Sequence, residues 1–143
     1  MLSRTADHLF WMSRYMERAE NTARMLNVNY ETSLLPQSAD ATEQGWRGLL
    51  SISELTPAYQ QRHNEVNGRD VMAFMVRDEG NPSSILACLR AARENARAVR
   101  GALTSEIWET INATWLEMRA TGERQLAELD TAVLFEWVKQ RAH

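Results

Sequence analysis

Two charged stripes and one hydroxyl-bearing turn carry the residue types that could do chemistry in this sequence. Glu17, Arg18, Glu20 and Arg24 fall within eight positions. On a helix advancing about 100° per residue, Glu20 borders the apolar seam, with Glu17 and Arg24 a little further round. Ser13, Asn27 and Glu31 continue that polar stripe. Later, Arg93, Arg97 and Arg100, with Glu94 among them, make a basic stripe beside a second seam. Packing of the two helices would bring Glu17 and Glu20 against Arg93 and Arg100 in a partly buried carboxylate–guanidinium network. Arginine forks suit carboxylate and phosphate, so such a network would bind a polar ligand or a peptide terminus. The alternative is that these charges only flank a bundle and set its register and partner choice.

The turn is Asn81-Pro82-Ser83-Ser84, following Arg77-Asp78-Glu79-Gly80. Asn81, Ser83 and Ser84 stand where a helix begins, and free N–H groups with two hydroxyls there form a candidate anion site. An ordinary helix cap explains the same residues. Trp108 and Trp115 are seven apart and share a face, as anchors of a helix-packing core or as walls of a ligand cage. Cys88 lies beside Ile85 and Leu89 and reads as a buried structural thiol. No phosphate loop of the Walker or dinucleotide type occurs. His8, His63 and His143 share no helix face with paired carboxylates, and no Glu-x-x-His is present. No metal site, no cofactor and no catalytic residue is expected on these grounds.

The elements that must position these residues are helices. Leu9, Met12, Met16, Ala19, Ala23, Leu26 and Tyr30 recur every three or four residues, which predicts a long first helix over 4–34 ended by Pro36. A second is predicted over 42–55, with Trp46, Leu49, Leu50 and Ile52 apolar and Pro57 as its stop. Residues 58–68 lack periodicity and predict a loop. A short helix over 69–77 follows, then one over 83–102 with the seam Ile85, Leu89, Ala92, Ala96, Val99 and Leu103. A fifth covers 105–120 with Trp108, Ile111, Trp115 and Met118 on one face, and Thr121-Gly122 predicts a break. From Glu123 a sixth segment repeats the pattern with Leu126, Leu129, Val133 and Trp137. The expectation is an all-α fold: one helical bundle of about five to six helices with a long N-terminal helix, over 1–143.

Composition agrees with that class. The 143 residues are 44% hydrophobic and 24% charged, enough for a core without staples. The formal net charge of −3 gives no support to a nucleic-acid or membrane-surface role. A single cysteine forms no internal disulfide, and no stretch reads as a signal peptide or membrane span; a cytoplasmic location is expected.

Three segments are more specific than periodicity. The opening Met1-Leu2-Ser3-Arg4-Thr5-Ala6-Asp7-His8-Leu9-Phe10-Trp11-Met12-Ser13-Arg14-Tyr15-Met16-Glu17-Arg18-Ala19-Glu20-Asn21-Thr22-Ala23-Arg24, then Asn81-Pro82-Ser83-Ser84-Ile85, and Ala92-Arg93-Glu94-Asn95-Ala96-Arg97, with Trp108-Glu109 and Ile111-Asn112, resemble the bacterial Alpha-E family. The resemblance implies an all-helical fold with a Glu-Arg motif at Glu17-Arg18. It also implies association with ATP-grasp proteins and transglutaminase-like peptidases that make, attach or remove a peptide or amide-linked tag. Family chains continue further, so this chain is expected to be the N-terminal half of a longer unit. The expected role is a non-catalytic accessory or interaction protein of such a system. The alternatives are an enzyme subunit with a Glu/Arg polar site for amide-bond chemistry, and a purely structural bundle that forms homo-oligomers.

Overall fold

The computed structural model describes residues 2–125, with side chains over 3–116. Six α-helices appear among them: α1 (Leu2–Ser33), α2 (Ala39–Ile52), α3 (Thr56–Gln60), α4 (Gly68–Val76), α5 (Ile85–Ala98) and α6 (Ser105–Gln125), with a 3₁₀ turn at Arg100–Ala102. The described residues contain no strand. None of the helices is long and apolar enough to cross a membrane.

The 32 residues of α1 span about 48 Å at 1.5 Å per residue. That length lets one helix serve as the spine against which α5, α2 and α4 pack. Its most extensive partner is α5, and α6 packs next on α5. Two contacts fix the direction of the α1–α5 pair. His8 Nδ1 lies 3.0 Å from Asn95 Oδ1, and Arg18 lies beside Ser83, so the helices run antiparallel. Ala19, Ala23 and Leu26 of α1 are fully buried, as are Ile85, Cys88, Ala92 and Ala96 of α5. Small residues at spacings of four let the two backbones approach closely, while Leu26, Leu89 and Ile85 fill the core beside them. Helix α4 buries Val71, Met72, Phe74, Met75 and Val76; it is short and apolar nearly all round because it plugs the end of the core.

Caps explain where the helices start. Ser38, Asn67 and Ser84 each accept a hydrogen bond from the backbone N–H three residues on, at 3.1, 2.8 and 3.1 Å. Gly68, just past the Asn67 cap, packs closely on the buried Trp46 indole, which a Cβ there would approach to 3.1 Å.

Several boundaries differ from the sequence expectation, among them the start of α2, at Ala39 rather than at 42. Helix α2 ends at Ile52 rather than at 55, because Glu54 adopts φ 60° and the Leu55 N–H returns to the Leu50 carbonyl at 2.9 Å. The loop predicted over 58–68 holds α3, started by Pro57 in its first turn and anchored by buried Tyr59, whose hydroxyl donates to the Glu65 carbonyl. Helix α5 closes at Ala98, and the chain turns through Arg100–Ala102. The break predicted at Thr121-Gly122 does not form: α6 runs on to Gln125, and an interior glycine costs only about 1 kcal/mol, which does not end a helix already under way. The segment with Leu126, Leu129, Val133 and Trp137 lies outside the described residues.

Candidate functional site

The two sets of chemistry-bearing residues read separately from the sequence meet at one point. Arg18 of α1 donates through Nη2 to Ser83 Oγ at 2.8 Å, with its guanidinium 5.9 Å from the Tyr15 ring. The antiparallel register of α1 and α5 brings Arg18 of the long helix to the turn that starts α5. Asn81 organises that turn from within. It is buried, accepts from the Ser83 N–H at 3.0 Å through Oδ1, and donates through Nδ2 to the Phe74 carbonyl at 3.0 Å. One side chain thus makes an Asx turn and ties it to α4. Ser84, fully buried, caps α5. Asn81 and Ser84 are therefore spent as turn and cap, and of the three candidate anion-site residues only Ser83 meets a cation.

Cys88 sits one turn into α5, fully buried, its Sγ 3.8 Å from the Pro82 carbonyl. Burial pushes its thiol pKa up, and the Arg18 charge opposes that shift. A buried neutral thiol is a poor nucleophile.

The remaining charges lie elsewhere. Glu17 pairs with Arg14 at 3.8 Å on an exposed flank, and Glu20 accepts from Arg24 one turn on. Glu94 lies 3.1 Å from Arg93 and 3.9 Å from Arg97 along α5. The expected meeting of Glu17 and Glu20 with Arg93 and Arg100 is corrected by the register. Ser83 stands opposite Arg18 and Asn95 opposite His8, which carries Arg93 and Arg100 toward the N-terminal end of α1. There they face α6. Arg93 Nε donates to Asn112 Oδ1 at 2.6 Å, and its guanidinium lies 4.7 Å from the Trp115 ring and 5.9 Å from Trp108. Arg100 lies 5.0 Å from the other part of the same stack, the Trp108 ring. Sequence spacing put the two tryptophans on one face but did not show that the guanidinium between them comes from α5. The basic stripe and the seven-residue tryptophan spacing were the signals for it.

A second feature lies between α1 and α2. A groove of about 720 Å³ is walled by Met25, Val28, Leu49 and Ile52 and floored beside Gly45 and Gly48. Val28 is 60% exposed and Ile52 80%. Asn29 lies in its wall with a buried Nδ2 that has no hydrogen-bond partner among the described residues. Leu49 and Ile52 were legible as part of the apolar side of the second helix; that Met25 and Val28 of α1 face them across two glycines was not.

Comparison with known proteins gives the chain's relatives. Uncharacterized protein Mb2597 of Mycobacterium bovis (strain ATCC BAA-935 / AF2122/97) and uncharacterized protein MT2643 of Mycobacterium tuberculosis (strain CDC 1551 / Oshkosh) are each 26% identical over 144 residues. Uncharacterized protein Rv2567 of M. tuberculosis (strain ATCC 25618 / H37Rv) shows the same identity. In each case the match covers 91% of this chain and 16% of the relative, so the chain spans about one sixth of the length of these relatives. No solved structure matches. The model of a family described as "a predicted alpha-helical domain with a conserved ER motif" matches residues 1–143, and a Glu-Arg pair stands at 17–18, where Arg18 joins the long helix to the α5 turn: the chain belongs to the Alpha-E family.

Proposed function

We propose that this domain is a non-catalytic interaction module of a system in which an ATP-grasp-type ligase and a transglutaminase-like protein handle a peptide or amide-linked tag. The observation that carries the interaction half is the apolar groove between α1 and α2. Its walls expose large aliphatic side chains on two facing helices, and a surface of that kind suits another protein chain better than a small polar substrate. The acidic residues weigh the same way. An amide-bond enzyme would gather Glu17 and Glu20 with the α5 arginines in a concave site, whereas Glu17 pairs with Arg14 on an exposed flank and Arg93 is engaged by Asn112 of α6. The link to peptide ligation rests on what the family resemblance implies.

The test is affinity capture from the source bacterium with tagged wild-type protein and with a Val28→Glu/Ile52→Glu variant. Stoichiometric recovery of an ATP-grasp or transglutaminase-like protein by wild type, and its loss in the variant, is the expected outcome. Recovery of this chain alone overturns the reading, and a dimer mass in light scattering would then make it a self-assembling bundle.

A further inference from the structure

A different cavity, of about 320 Å³, opens where the turn after α3 meets the end of α4 and the start of α5. Phe74, Ala73 and Leu86 form its apolar wall. His63 closes one side, stacked on Tyr59 at 4.7 Å and edge-on to Phe74 at 6.3 Å, so its ring is held flat against the aromatic cluster. The rim carries two arginines and two acids, and both acids are engaged. Asp78 accepts from Arg62 at 2.7 Å and from the Gly80 N–H at 2.9 Å. Glu79 lies 3.5 Å from Arg90, which approaches from α5. Arg77 alone has no ion pair or hydrogen bond from its side chain among the described residues, and it is exposed. The rim therefore balances in pairs except for one guanidinium beside an apolar, ring-lined wall.

We propose that this cavity binds a monocarboxylate attached to an apolar or aromatic group, with Arg77 taking the carboxylate and the Phe74–His63–Leu86 wall taking the apolar group. The volume falls at the small end of the ~300–1,000 Å³ range of ligand pockets. One uncommitted fork matches a single planar carboxylate in bidentate geometry. A phosphate dianion would leave a second charge uncompensated beside Asp78 and Glu79. The same chemistry is presented by a free aromatic acid and by a peptide chain ending in an apolar residue. The inference does not depend on the groove between α1 and α2.

The experiment is an NMR titration of the full chain with 3-phenylpropionate, its primary amide, inorganic phosphate, and a short peptide ending in a free-carboxylate phenylalanine. The acid shifts the Phe74, His63 and Leu86 signals. The amide binds about tenfold more weakly, and Arg77→Gln removes that difference. Arg77→Lys, which keeps the charge and loses the fork, falls between. Because Arg77 is exposed, its variants keep the wild-type circular dichroism spectrum. Equal binding of acid and amide, an unchanged affinity in Arg77→Gln, or no shift at these signals with any probe overturns the proposal; so does phosphate binding as tightly as the acid. Binding of the peptide but not the small acid assigns a chain terminus. The reverse assigns a free acid, and either result supports the carboxylate site.

Discussion

At the junction of α1 and α5, a single buried asparagine holds more of the structure than the arginine that the family motif points to. Replacing Asn81 with alanine strands the buried Phe74 carbonyl and leaves the half-buried Ser83 N–H without its turn acceptor, so the desolvation cost falls fully on the first and partly on the second. A loss of about 2–3 kcal/mol in urea unfolding is expected. Ser83→Ala removes one half-exposed acceptor from Arg18, whose remaining N–H groups can turn to water, and costs about 0.5–1 kcal/mol. An order reversed between these two variants would mean that the Arg18 contact, not the Asx turn, organises the site. Titration acts at the same scale. Burial raises the pKa of Cys88 and of Tyr59, so the folded chain keeps both groups protonated where the unfolded chain releases them. Above about pH 8.5 for the thiol and about pH 10 for the phenol, the unfolded state binds fewer protons. Stability therefore falls as pH rises through those values. Unfolding followed from pH 7 to 11 should show the decline, and Cys88→Ala should remove its lower limb.

Individual elements explain which parts of the fold were readable beforehand. α1 was legible because its seam repeats without a breaker until Pro36, and a pattern that long leaves little choice of structure. The stop after α4 and the cap within Asn81–Ser84 were legible for a similar reason, since short polar side chains and proline act on their own neighbourhood; the Ser38 cap was not, and α2 begins three residues before its expected start. The end of α2 was not. Glu54 takes a left-handed conformation normally left to glycine or asparagine, and no local preference announces it. That strain yields a prediction: Glu54→Gly relieves the steric cost at φ 60° and should stabilise the protein by about 0.5–1 kcal/mol in thermal or urea unfolding. The charged network failed as a reading because register is a property of the pair of helices. The sequence shows two basic and acidic stripes but not which turn of one faces which turn of the other. The packing assigns Arg93 to α6 instead. Arg93→Ala loses Asn112 and two indole faces and should cost about 1–2 kcal/mol. Arg97→Ala, on the exposed side of the same helix, should stay within about 0.5 kcal/mol.

Over the whole molecule, α1 divides its surface between two uses. One side is committed to α5 through alanine-lined contact. The other, from Met25 to Thr32, stands open against α2 across Gly45 and Gly48. Glycine inside a helix is destabilising relative to alanine by about 0.5–1 kcal/mol, so two of them within one turn of α2 call for a reason. At Gly45 packing supplies one, because a Cβ would lie 3.2 Å from Asn29 Oδ1. At Gly48 nothing stands within 4 Å; the chain forgoes helix stability there while its fold gains no contact in return. If the open groove is what Gly48 protects, Gly48→Leu should separate stability from binding. The leucine adds helix propensity and covers Ile52 and Val28, so the melting temperature of the isolated chain should rise. The same side chain fills the proposed docking groove, so the capture expected under the proposed function should be lost. A variant that is more stable and captures the same protein as wild type would show that the groove is only a packing defect and would remove it as the docking surface proposed above.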